Sequence, residues 1–287
     1  MLVLTAALLW SGGGLGVKLL ADVDAMSIAG YRSLFAFLAM GVAVAARGVR
    51  GERDDVARAL KTPLVWAAAV SYAVMVDCFC VAAKLSTAAN AIFLQYTAPI
   101  WVAFLSWPVL AERVRPRDWL TLGVAFGGMI LFFVGKLEAR GLAGNLVAMV
   151  SSFGFAGLPV LLRLEERKAV ARGLRANPTS AVVATTVGNL IAAVAGAPWM
   201  LESTPSTTTG WTVLILLGTV QIALPYLLYS AAVRVLKALE ASLFAILEPV
   251  VSPLWVFLVA GERPAPAALA GGGLIVIAVV LRAVFGR

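Results

Sequence analysis

The sequence predicts an all-α polytopic membrane protein of ten transmembrane helices, arranged as two inverted five-helix repeats. Three observations carry this. Of 287 residues, 61% are hydrophobic and only 13% charged, against roughly 45–50% and 25% in soluble domains. The chain divides into ten apolar runs of about 20 residues, the length that crosses a ~30 Å hydrocarbon core as a helix. The second half also repeats the first at an offset of 150 positions: Pro99 falls on Pro249, Glu112 on Glu262, Arg113 on Arg263, Pro116 on Pro266 and Gly123 on Gly273. A repeat with an odd number of spans inserts its copy upside down, and matching helix breaks in two such halves point to a binding site at the midplane.

The expected spans are 1–21, 25–46, 64–84, 87–110, 117–136, 142–163, 178–201, 209–233, 239–260 and 266–285. All should be helical, because backbone groups in lipid must bond internally and no even alternation suggests a barrel. The boundary between repeats falls at 138, giving units 1–138 and 139–287. The first run lacks a basic leader and a cleavage signal, so it reads as a retained span. With the N-terminus inside, seventeen Lys and Arg fall on inside segments and five outside, with Arg32 within a span. This bias places both termini in the cytoplasm. The segments 47–63 and 164–177 read as charged cytoplasmic connectors, long enough only for a small surface helix. The remaining connections are too short for a soluble catalytic domain.

Composition excludes several functions. The net charge of +8 lies in breaks between spans and orients them, so nucleic acid is not an expected partner. Cys78 and Cys80 sit two apart in one apolar run and there is no histidine, which argues against disulfides, a metal site and His-based catalysis. No phosphate loop, HExxH or Gly-Asp protease motif occurs, so neither an enzyme nor a resident cofactor is expected. Rings of like charge that would favour a channel are absent too.

The residues left to carry function are few. An ionisable group at membrane depth costs about 2.5–3.5 kcal/mol on insertion scales, so each is a site candidate or half of a buried pair. Lys18, Lys84 and Arg234 lie near span ends and can snorkel. Arg32 is about 10 Å into its span, too deep for that, and could bind a carboxylate or close a structural ion pair. Asp77 and Glu248 lie near mid-span, where each could bind a substrate ammonium, exchange a proton, or pair permanently with Arg32 or Lys18. Pro99 and Pro249 each remove a backbone donor mid-span, opening a carbonyl to a cavity or bending the helix. Trp10, Tyr72, Gln95, Tyr96, Trp101, Gln221, Tyr226 and Tyr229 share these spans and could line an apolar pocket with a few polar groups, the aromatic faces attracting a cation. Trp66, Trp107, Trp119, Trp199 and Trp211 read as interface belts. Gly12/Gly16 and Gly123/Gly127 have GxxxG spacing and, with Gly271 to Gly273, read as helix contacts.

The paired sets Ala98-Pro99, Ala111-Glu112-Arg113, Pro116 and Glu248-Pro249, Gly261-Glu262-Arg263, Pro266, together with Leu9-Trp10-Ser11-Gly12, Lys18 and Arg32, resemble the EamA branch of the drug/metabolite transporter superfamily along essentially the whole chain. The resemblance implies a secondary transporter that exports small metabolites, most often amino acids, across a bacterial-type inner membrane. The YddG-like amino-acid exporters are one candidate subgroup, and no motif selects them. A carrier of anionic or phosphorylated metabolites is the alternative, followed by a channel or membrane scaffold. The expected partners are a small-molecule substrate and membrane lipid. A monomer suffices to close the fold, and a dimer is not required.

Overall fold

The computed structural model describes residues 2–13, 16, 19–20, 22–135, 137, 141–232, 236–251 and 265–285, and among them no strand occurs. The helices are α1 (Leu2–Trp10), α2 (Ala25–Arg47), α3 (Arg53–Lys61), α4 (Pro63–Leu85), α5 (Ala88–Gln95), α6 (Ala98–Leu110), α7 (Pro116–Phe133), α8 (Leu142–Ala171), α9 (Ser180–Glu202), α10 (Thr208–Ala232, with a π-helical turn at Leu217–Ala223), α11 (Ala238–Ala245) and α12 (Pro266–Phe285). Residues 247–251 begin a further helix. Six helical stretches among the described residues are long and apolar enough to cross a membrane, two of them running through α2–α3 (Ala25–Lys61) and α5–α6 (Ala89–Leu110), and the stretch Pro266–Arg282 is a shorter apolar helix. Lys18, Arg234, Gly261-Glu262-Arg263 and the second half of the expected span 239–260 lie outside the described residues.

Local chemistry sets the helix ends. Asp24 caps α2, its Oδ1 accepting the Met26 N–H at 2.8 Å; Pro63 and Pro116 open their helices where no N–H is needed. Helix α6 stops at Ala111, the one non-glycine among the described residues with positive φ, at 49°. This left-handed turn lets the N–H groups of Ala111 and Glu112 close on Trp107 O and Ser106 O at 2.9 Å each. Glu112 is thereby turned towards α8, where its Oε1 accepts from Arg163 Nε at 2.9 Å.

Three departures from continuous spans with the expected bounds have physical causes, two of them at the prolines singled out from sequence. The stretch 87–110 is not one helix: it breaks at Tyr96-Thr97, just before Pro99, which sits in the first turn of α6. The stretch expected from 239 breaks at Ile246, just before Pro249. Helix α8 runs on to Ala171 through residues expected as a connector, helped by the Arg163–Glu166 pair at 2.6 Å on successive turns.

Without a hydrophobic force between helices in lipid, packing relies on small residues and interhelical hydrogen bonds. Helices α2 and α9 run antiparallel, with Gly30 against Gly196, Ser27 Oγ donating to Trp199 O at 2.5 Å and Tyr31 Oη to Met200 O at 2.8 Å. Helices α7 and α12 are also antiparallel, with Gly128 against Gly271 and Asp118 against Arg282. Helix α4 lies along α8, where Ser71 Oγ donates to Gly154 O at 3.1 Å and Ser151 Oγ to Met75 O at 2.7 Å. Gly123, Gly127 and Gly273 face open space instead of a neighbour, contrary to the expectation from their spacing. The outward faces carry exposed Leu38, Val42, Phe104, Ile130, Leu146 and Val194, an exterior suited to acyl chains.

Candidate functional site

The helix breaks meet inside the molecule. Tyr96, at the α5–α6 break, donates its hydroxyl to Glu248 Oε2 beside the Ile246 break, and its ring stands edge-on to Phe155 of α8 at 5.7 Å. Helix α10 supplies two further aromatic residues. The Trp10 ring of α1 lies 4.9 Å from Tyr226 and 5.7 Å from Tyr229, and Tyr226 meets Tyr72 of α4 edge-on at 4.8 Å. All four are buried.

The π-helical turn of α10 inserts an extra residue per turn and carries Gln221 inward, a local deformation often found at functional sites. Its Nε2 donates to Trp10 O at 2.9 Å, joining α10 to the end of α1. Tyr72 donates to Asn189 Oδ1 at 3.2 Å, and Asn189 Nδ2 in turn donates to Thr185 O at 2.8 Å.

Charge is distributed unevenly around this cluster. The positive charge of Arg32 acts on Asp77, Glu248, Tyr72 and Tyr226. Yet among the described residues Arg32 closes no ion pair with either carboxylate. Arg32, Asp77 and Glu248, each half-buried, thus bring one cation and two carboxylates within electrostatic reach of the aromatic cluster. Trp10 Nε1, Arg32 Nε, Asp77 Oδ1 and Gln221 Oε1 are buried without a hydrogen-bond partner. Buried polar atoms are normally paired, so these are donors and acceptors that a polar ligand can satisfy.

Of the residues singled out from sequence, Trp10, Arg32, Tyr72, Asp77, Tyr96, Gln221, Tyr226, Tyr229 and Glu248 are thus linked by contact or charge. Two make other contacts. Gln95 Nε2 donates to Ser151 Oγ at 2.8 Å, and Trp101 stacks at 4.2 Å on Phe153, a residue on the exposed exterior. Asn189 and Phe155 escaped the sequence reading; a lone fully buried Asn in the apolar stretch of α9 was the available signal for the first.

Comparison with known proteins agrees with this architecture. An uncharacterized transporter of Archaeoglobus fulgidus is 28% identical over 194 residues, which are 67% of this chain and 66% of that protein. The chain therefore matches just under two thirds of that relative's length. A solved structure, described as the crystal structure of a protein, shares the fold with a TM-score of 0.78 over 100% of this chain and 97% of that one, at 19% identity. The EamA-like transporter family matches residues 1–134 and again 142–283, and the chain, a helical membrane protein, belongs to that family.

Proposed function

We propose that the chain is a secondary active transporter working by alternating access, and that its cargo is a small zwitterion, an amino acid with an apolar or aromatic side chain, exported across the inner membrane. The observation that carries this is Arg32 set among two carboxylates it does not close upon, beside the Trp10–Tyr226 cluster. A carboxylate suits the guanidinium, an ammonium suits Asp77 or Glu248, and the rings suit an apolar side chain and an adjacent cation. A phosphorylated substrate would meet two carboxylates for one cation.

Ten spans in two inverted five-helix units, 1–138 and 139–287, with both termini cytoplasmic, are part of the same proposal. The packing supports it: a shift of 150 residues carries α2 onto α9 and α7 onto α12, and each of these pairs packs antiparallel, as copies do across a two-fold axis lying in the membrane plane. The shift also carries the Tyr96 break onto the Ile246 break. Both units lie in one chain, so a monomer completes the site.

The test is efflux from proteoliposomes loaded with L-phenylalanine, phenethylamine (no carboxylate) or hydrocinnamate (no ammonium), with and without a pH gradient. Phenylalanine should move best. Arg32→Gln should weaken phenylalanine and hydrocinnamate, and Glu248→Gln phenylalanine and phenethylamine, by the ~1.5–3 kcal/mol of a charged hydrogen bond, roughly ten- to a hundredfold. Hydrocinnamate moving as well as phenylalanine, with Glu248→Gln neutral, would make this an anion carrier instead. No movement of any probe by folded protein would overturn the reading.

A further inference from the structure

A cavity of about 420 Å³ lies between α8, α9, α10 and α11 at the end of the bundle expected to face the cytoplasm; Pro159, Glu165, Asn177, Ser180, Ala231 and Ala241 are among its walls. Its lining includes three charged residues, Arg163, Glu165 and Glu166. Arg163 is already held by Glu112 and Glu166 at 2.9 and 2.6 Å, so its charge is spent. Glu165 is only 8% exposed and forms no ion pair among the described residues; the neutral Ser180 hydroxyl is the hydrogen-bonding group beside it, and the Arg58 charge reaches it without contact. A buried carboxylate with no counter-ion, opening on a cavity, is costly unless a cation visits it.

The cavity also lies beside the aromatic cluster along three elements. Pro159 is one helical turn from Phe155, which touches Tyr96. Ala231 is two residues past Tyr229, and Ala241 is about two turns before Glu248. Pro159 moreover offers no N–H to the Phe155 carbonyl, which leaves that wall short of a donor. We propose that this cavity is a second binding site, a vestibule in which Glu165 takes the ammonium group of a small amine or amino acid. Its service as the way into the Trp10–Tyr226 cluster rests on the transporter reading; the cation site itself does not.

The experiment reads the cavity without transport. In a Cys78→Ser/Cys80→Ser background, Ala231→Cys is labelled in detergent with trimethylammonioethyl or sulfonatoethyl methanethiosulfonate. The cationic reagent should react about tenfold faster or more, given one uncompensated charge nearby in a medium less polar than water. Glu165→Gln should bring the two rates to within about threefold of each other, and Glu165→Asp should keep the preference. Phenethylamine should slow the labelling and hydrocinnamate should not. Equal rates in the parent, a preference that survives Glu165→Gln, or no labelling by either reagent would each overturn the site. Vestibule labelling that behaves as expected while phenylalanine fails to move would leave the cation site standing and remove the transport reading.

Discussion

Replacing Arg282 with Met should destabilise the fold by about 3 kcal/mol. Arg282 joins α12 to two other elements, with Nη1 on Asp118 Oδ1 at 2.5 Å and Nη2 on Glu240 Oε1 at 2.9 Å, and its side chain is 5% exposed against 7% and 20% for the carboxylates. Removing one member of a buried ionic group strands its partners, typically at ~3–5 kcal/mol. Here the lower end applies, because each carboxylate keeps a backbone donor: Asp118 Oδ2 takes the Arg115 N–H at 2.9 Å and Glu240 Oε2 the Lys237 N–H at 3.2 Å. Adding Asp118→Asn should return roughly 1–2 kcal/mol, since the more deeply buried orphan charge is then gone. The assay is unfolding in mixed micelles by SDS titration, followed by tryptophan fluorescence. If the single costs simply add in the double variant, within about 0.5 kcal/mol, the three side chains do not act as a unit and the reasoning fails.

Gly154→Ala should cost ~1–3 kcal/mol in the same assay, because a Cβ there would stand 2.7 Å from Ser71 O and 2.8 Å from Met75 N, both backbone atoms; Gly123→Ala, facing open space, should instead gain ~0.5–1 kcal/mol, and equal effects would contradict the packing described. Tyr72→Phe should lose about 1–3 kcal/mol by leaving Asn189 Oδ1 unpaired in the interior; full stability would show that this hydrogen bond carries no weight. Partial burial works to raise the Asp24 carboxyl, but the Met26 N–H and the Lys84 ammonium outweigh it and hold it below its usual value. Its contribution is therefore present above the ordinary carboxylate range near pH 4 and lost as pH falls through the lowered value, so Asp24→Asn should flatten the acid limb of a stability profile.

Much of this molecule is legible because lipid leaves an apolar chain little choice but helix. The two breaks were legible as well: a proline without an N–H and with a ring against the preceding turn stops a helix upstream of itself, and both Tyr96-Thr97 and Ile246 lie within three residues of one. Sequence spacing failed where a face had to find its partner. Gly123 and Gly127 have the spacing of a contact, yet the neighbouring Gly128 makes it, against Gly271, because spacing defines a stripe and says nothing of which stripe is met. Charge alone likewise misled at 164–171, where the Arg163–Glu166 pair one turn apart helps to keep the helix going. At the site, the intramembrane charges stood out by their cost, whereas Asn189 depends on Tyr72, 117 positions away, and no local pattern encodes that distance.

The Asp118–Glu240–Arg282 cluster has a counterpart 150 positions away in Ala268, Asn90 and Phe132. Phe132 and Ala268 are buried together with Phe133 and packed against Phe93. One end of the α7–α12 pair is thus fastened by charge and the other by hydrocarbon. These fastenings answer differently to the surroundings: the desolvation cost of ions falls as temperature rises, and salt weakens charges in proportion to their access to water, while a cluster of rings responds to neither in that way. A machine built from two near-copies would, with identical fastenings, rest equally on either side of the membrane. On the alternating-access reading proposed above the two fastenings differ, so the two resting states would differ in energy, and temperature would act on that difference through the ionic end.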